Sequence, residues 1–339
     1  AKELEERRPI ASWRDMLEQA CIFVEVHQRE GDPVQEIGEM EEIDLADDFR
    51  LAPLIPEGES TLLYGDGGVG KSYIGCVSTI LIGLPYSALG LRPRYGKTLY
   101  IDYETTAERI NKRIKMLKRG FGIDDYFTVL YHRPLRSIAD SSGELRRMIR
   151  SRGIQYVIID SAAMACGGDA EKQQPVTDMF QALRSWNTTN LIIGHVPKNT
   201  ERGKERTPFG SALWRNGSRS MWEVRSVQGA NDSELDIGLY HRKVNDQKKL
   251  APIGLSFSFG DDLVSIKRTD IGRSPELAKG LSTSDQVLAN LSSGLLSVQD
   301  LSEIIDTTPG TIGVELNRLK KKGMVISPQR GLWGLAFLS

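Results

Sequence analysis

With 339 residues, 40% of them hydrophobic, the chain can bury the core of one α/β domain of about 230 residues and of a smaller module besides. Its 44 basic and 45 acidic residues leave a formal net charge of −1, so any surface for nucleic acid must be local. Cys21, Cys76 and Cys166 form no CxxC pair and no Cys/His cluster, and no apolar run approaches the ~20 residues of a bilayer span, which argues against a zinc module and a helical membrane protein and for a reducing, cytoplasmic setting.

Residues 1–55 open with a charged stretch unlike a secretory signal, and the first residue, Ala1, suggests a processed or excised piece. One amphipathic run, SWRDMLEQACIFVEV, precedes an acidic, Gly- and Pro-punctuated segment, so this part reads as an arm or lid. From Ser60 the short apolar runs TLLYG, KTLYIDYE, QYVIIDSA and NLIIGHV alternate with amphipathic segments. That alternation predicts buried parallel strands with crossover helices, an α/β domain over 56–270. After Gly210, RSMWEV, ELDIGLYHRKV, PIGLSFSF and DLVSIKR, separated by turn signals, predict an antiparallel extension of the sheet. A polar linker leads to 283–339, where three helical patterns and two short strands around PQRG have the order of a winged helix-turn-helix.

Gly65-Asp66-Gly67-Gly68-Val69-Gly70-Lys71-Ser72 fits GxxxxGK[ST], with an apolar strand before it and an amphipathic helix after it. Glycines let successive N–H groups curl around phosphates at a helix N-terminus, Lys71 reaches the β- and γ-phosphates of ATP, and the Ser72 hydroxyl completes the shell of Mg²⁺. Asp160 closes YVIID at the sheet edge where such folds bind ligands, placing a carboxylate beside Mg²⁺. Glu104 closes KTLYIDYE and can orient the attacking water, but strand alternation puts Asp102 on the same side, so the pattern leaves the choice between them open. His195, at the end of NLIIGH, can sense the γ-phosphate or be a satisfied histidine of the sheet edge.

MACGGDAEKQQPVTD after Asp160 and PKNTERGKERTPFG after His195 read as long polar functional loops. Lys198, Arg202, Lys204 and Arg206 in the second give it the charge to track the backbone of single-stranded DNA, or make it an ordinary solvated loop. In the C-terminal module, Ile312, Leu316 and Leu319 at helical spacing with Lys320-Lys321-Lys322 behind them describe a candidate recognition helix, which can equally dock other replication proteins.

GDGGVGKS, a strand ending in YIDYE, VIIDS, and IIGHVPK followed by PFGSA and an arginine resemble, over roughly residues 50–260, the RecA-like core of plasmid RepA-type replicative helicases. The resemblance implies a homo-oligomeric, hexameric ring that hydrolyses ATP between subunits while moving on single-stranded DNA. It favours Glu104 over Asp102, and it places at Arg219 the arginine that a neighbour inserts into the ATP site, with Arg215 and Arg225 as weaker candidates. Lys243 matches a second basic residue presented across the same interface, or is a plain strand lysine. A RecA-like switch, in which ATP stabilises an oligomer on DNA without unwinding, uses the same motifs.

Overall fold

The computed structural model describes residues 13–29, 48–196, 212–229, 231, 233–245, 249–291 and 294–336. The chain divides into two units, residues 1–43 and 44–339. In the first, α1 (Trp13–Arg29) is a single amphipathic helix on which Met16, Leu17 and Ile22 are exposed.

The second unit is built on a nine-stranded sheet. Its strands in chain order are β3 (Ser60–Gly65), β5 (Thr98–Asp102), β6 (Leu130–His132), β7 (Tyr156–Asp160), β8 (Thr189–His195), β9 (Ser220–Gln228), β10 (Glu234–Val244), β11 (Ile253–Phe259) and β12 (Val264–Thr269). They lie side by side in the order β12-β11-β10-β9-β3-β8-β7-β5-β6. The six strands from β6 to β9 are mutually parallel, and β10, β11 and β12 continue the sheet antiparallel. The α/β architecture is therefore the one expected, with one difference: RSMWEV, read as part of the antiparallel extension, runs parallel to β3. The helix α7 (Ala212–Gly217) precedes it and gives the chain its crossover, which a strand pattern by itself does not reveal.

Alternation along each strand divides the core in two. Leu63, Tyr100, Ile158 and Ile193 pack under α2 (Lys71–Gly83) and α3 (Ala107–Phe121). Leu62, Leu99, Val157 and Ile192 pack under α4 (Ser142–Arg152) and α6 (Gln173–Trp186) on the other face. A small sheet of β1 (Phe49–Ala52), β2 (Ile55–Pro56) and β4 (Arg92–Pro93) carries Leu51, Leu54 and Ile55 into the first of these cores, so the folded unit already includes the last residues of the stretch read as a lead-in. Trp222 fastens it, donating its ring N–H to Leu54 O at 3.0 Å.

The segment after Asp160 is shorter as a loop than its polar composition suggests. Ala162–Ala165 forms α5, Gln173 begins α6, and Trp214 donates to Ala170 O at 2.8 Å, anchoring what lies between. Beyond β12, α8 (Pro275–Ala278) leads to α9 (Thr283–Leu291), β13 (Leu296–Ser297), α10 (Val298–Ile305), α11 (Pro309–Lys321), β14 (Val325–Gln329) and β15 (Leu332–Leu335). Val287, Leu291, Leu301, Ile312, Leu316, Leu319 and Val325 form a core of their own, with an antiparallel sheet ordered β13-β15-β14. No described helix is long and apolar enough to cross a membrane.

Candidate active site

Parallel pairing brings four strand ends to one edge. Asp102 is level with Asp160, Asp160 with Ile193, and Gly65 with His195. The phosphate loop follows β3 at that edge. Gly68 and Gly70 have φ of 78° and 88°, a backbone that glycine adopts without strain. A Cβ at Gly70 would also lie 2.5 Å from Ile237 Cδ1, so the end of that side chain would have to shift. No side chain caps the N-terminus of α2, so its first N–H groups face the cleft with the positive end of the helix dipole behind them.

Lys71, the first residue of α2, is 4% exposed. Its ammonium donates to Gly65 O at 2.9 Å and Asp66 O at 2.6 Å and lies 3.5 Å from His195 Nδ1. Burial holds its pKa down at about 8, against the pull of the carboxylates of Asp160, Glu104 and Asp66. Asp160 is 3% exposed and accepts from Tyr100 Oη at 3.0 Å and from the Ser72 hydroxyl. Burial raises its pKa, the Ser72 hydrogen bond opposes the rise, and Glu104 adds to it. Ser72 and Asp160 thus present adjoining hard oxygens beside the phosphate loop, a donor pair that suits Mg²⁺ with phosphate oxygens and water completing its shell. Among the described residues no group of three or more His, Cys, Asp and Glu forms a self-sufficient metal site, and the three cysteines are free.

The structure separates the two candidate carboxylates. β5 ends at Asp102, whose Oδ1 accepts the N–H groups of Glu104 and Thr105 at 2.7 and 2.8 Å. Asp102 is thereby buried beneath the turn it caps, while Glu104 lies beyond the strand and lines the cleft. Strand alternation, which would pair them, does not extend that far. Glu104 Oε1 is 3.5 Å from His195 Nε2, and this contact, more than those with Ser161 and Lys71, holds the Glu104 pKa down at about 2 against burial.

The cleft, of about 280 Å³, is also lined by Tyr73, Arg113, Leu235 and Phe259. Arg113 of α3 lies over the Tyr73 ring at 5.5 Å, and Tyr73 meets Phe259 edge-on at 5.2 Å. Sequence reasoning missed Arg113 because it is one of six cations on α3. The available signal was its place one residue before Ile114, on the flank of the buried Ile110–Ile114–Leu117 stripe that turns toward the sheet edge.

Arg219 and Lys243 lie elsewhere. Arg219 precedes β9 beside Ser60, at the edge of the sheet opposite to Gly65, with its side chain half exposed and Nε 3.6 Å from Glu59 Oε2. It lies at the far end of β9 from the cleft. Lys243 belongs to the same edge and is not part of the chain's own nucleotide cleft: its ammonium donates to the carbonyls of Arg215 and Ser218. Burial lowers its pKa, with Arg215 and Arg219 adding to the effect. Arg225 is committed to Glu223 at 2.7 Å. Lys198, Arg202, Lys204 and Arg206 lie outside the described residues.

Residues 46–201 match the family model of the AAA domain. The AAA-domain match takes in the phosphate loop, Glu104, Asp160 and His195 and ends before Arg219 and Lys243, so the chain carries a P-loop ATPase domain whose cleft is the one described above. No curated protein matches the chain. Among solved structures it is similar to a KaiC-like protein of the hyperthermophilic archaeon Pyrococcus horikoshii, 14% identical over 69% of this chain and 99% of that one with a TM-score of 0.44, and no residue role is carried over from it.

Proposed function

We propose that the chain is an ATP-driven motor on single-stranded DNA, of the RepA-type helicase kind, assembled as a ring with its ATP sites between subunits. The observation that carries the ATPase part is the convergence of Lys71, Asp160, Glu104 and His195 on one strand edge around an uncapped helix N-terminus. For the ring, the support is Arg219, an arginine that is half exposed at the edge away from its own cleft. The C-terminal unit, with three helices and a β13-β15-β14 sheet, reads as a winged helix.

In this reading the free N–H groups of α2 receive the phosphates, and Lys71 exchanges its two loop carbonyls for the β- and γ-phosphate oxygens. Ser72 and Asp160 would hold Mg²⁺, which when bound would supply charge neutralisation for the phosphates. Glu104, whose carboxyl the His195 contact holds below the usual carboxylate range, accepts a hydrogen bond from the attacking water and aims its lone pair at the γ-phosphorus. His195, between Glu104 Oε1 and Lys71 Nζ, holds both in place and registers the loss of the γ-phosphate. The neighbour's Arg219 neutralises charge on the departing phosphoryl group, which makes turnover depend on assembly.

The test is steady-state ATP hydrolysis at several protein concentrations and one fixed salt concentration, with and without single-stranded DNA. Stimulation by DNA that steepens with protein concentration, and its loss in Arg219→Ala with nucleotide binding intact, is the expected result. Hydrolysis indifferent to both DNA and concentration would remove the motor and the ring together. DNA-stimulated hydrolysis without strand displacement would leave the RecA-like switch.

A further inference from the structure

Two outward-facing features of α11 have no explanation in the packing of its own unit. Gly313 lies within a 13-residue helix, where a glycine costs roughly 1 kcal/mol relative to alanine, and Gly310 lies in its first turn. A Cβ at Gly313 would meet nothing within 4 Å, and one at Gly310 would meet only Thr308 Oγ1 at 3.9 Å. Neither position is small because the fold needs it small. A surface that must be approached closely from outside gives the missing reason.

The charge of the segment that includes this face is one-sided. From Thr308 to Gly331 the chain carries Arg318, Lys320, Lys321, Lys322 and Arg330 against the single acid Glu315. Glu315 is turned away, receiving the Ser284 hydroxyl and the Arg318 guanidinium, the latter at 3.2 Å. In a chain of net charge −1 this is a local cationic surface. Ile312, Leu316 and Leu319 hold the opposite side of α11 in the core, which turns exposed Val314, Asn317 and Lys321 outward in one row.

The geometry around the helix selects the partner. Asp306 ends α10 in the left-handed conformation at φ 55°, and the Thr308 hydroxyl accepts the Thr311 N–H at 3.2 Å to begin α11. Two helices are thus joined by a three-residue turn, and the β14–β15 hairpin carries exposed Arg330 at its tip. Asp300 and Glu303 keep α10 acidic, so a polyanion is admitted from the α11 side. A helix about 20 Å long with a bare outer face fits the roughly 12 Å wide major groove.

We infer that the C-terminal unit is a duplex-DNA reader, with Val314, Asn317 and the backbone at Gly310 and Gly313 in the major groove and Lys321, Lys322 and Arg330 on the phosphates. This site is separate from the ATP cleft and from the single-strand surface of the proposed motor. It would hold the chain on double-stranded DNA without nucleotide. Asn317 suits an adenine edge and Val314 a thymine methyl, so A·T pairs at the contacted steps are expected.

The test uses the full chain, without nucleotide, and a labelled random-sequence duplex of about two helical turns, read by fluorescence anisotropy across a salt series. The expected result is duplex binding that weakens more than tenfold in Lys321→Ala/Lys322→Ala/Arg330→Ala, with the salt slope shallower by about one for each cation removed. Asn317→Asp, nearly isosteric and exposed, should also weaken binding, because it adds a negative charge and removes the amide N–H from the groove. Basal ATP hydrolysis should be unchanged in both variants, which separates failure here from failure of the ATPase reading. The inference is overturned if the wild type leaves the duplex free at low salt, which would hand the face to an acidic protein, or if the triple variant binds with the wild-type slope.

Discussion

Two charged clusters on the same sheet are built on opposite terms. Around Glu223 every charged group has a partner: its carboxylate takes Arg225 at 2.7 Å and Arg242 at 2.6 Å, and both guanidinium groups also lie over the Tyr240 ring, at 5.5 and 5.0 Å. In the nucleotide cleft the charges are left wanting. Lys71 is buried against carbonyls with a lowered pKa, Asp160 is buried with a raised one, and Asp102, beneath the turn that carries Glu104 into the cleft, keeps one oxygen, Oδ2, buried without a partner. The difference teaches where to expect chemistry. A cluster whose charged groups are all paired holds the fold, and one that keeps desolvated, unpartnered charge is poised for a highly charged ligand.

Mutations break this contrast in graded steps. Lys71→Ala is expected to reduce ATP hydrolysis to background while leaving the midpoint of denaturant unfolding unchanged or higher, because a desolvated cation is removed; a large loss of stability would mean that Lys71 is structural. Glu104→Gln should slow turnover about 10²–10⁴-fold with nucleotide still bound, and wild-type turnover in that variant would transfer the water-positioning role elsewhere in the cleft. Glu223→Ala should behave in the opposite sense. It strands two half-buried guanidinium groups and costs about 3 kcal/mol of stability, with the nucleotide site intact; unfolding at the wild-type midpoint would show that the pairs are idle.

The smallest effect is expected at His241. It stacks on Trp222 at 4.2 Å, accepts the Leu250 N–H at Nδ1, and has Nε2 3.2 Å from the Ser220 hydroxyl, an arrangement for the neutral ring. Burial, with Lys249 adding to it, lowers its pKa from 6.5 to about 4. Between those values the unfolded chain holds a proton that the folded chain does not, so stability falls as pH drops from about 6.5 to about 4. His241→Gln should flatten that slope in unfolding curves taken across the window, and an unaltered slope would assign it to other groups.

What the sequence disclosed was whatever is local. The phosphate loop is eight consecutive residues, and Asp160 ends an apolar run that can only be a buried strand. Glu104 and Asp102 could not be told apart, since the choice turns on where β5 stops, and it stops because the Asp102 side chain caps the turn. Arg113 was invisible because one cation among six is selected only by the packing of α3. The direction of β9 was missed for the same kind of reason: a strand pattern records alternation, not whether a helix has returned the chain to the other end of the sheet.

That direction has a mechanical meaning. β9 lies along β3 with Ser220 beside Thr61 and Val224 beside Gly65, so one stiff ladder has Arg219 at one end and the start of the phosphate loop at the other. A Cβ at Gly65 would lie 2.3 Å from Val224 O, which leaves the two strands no slack there. If Arg219 serves the next subunit, the arginine a subunit lends and the loop with which it grips its own nucleotide are the two tips of one rod. A change of nucleotide state would then be passed along the assembly by tilting whole subunits, as in a gear train, rather than by loops moving one at a time.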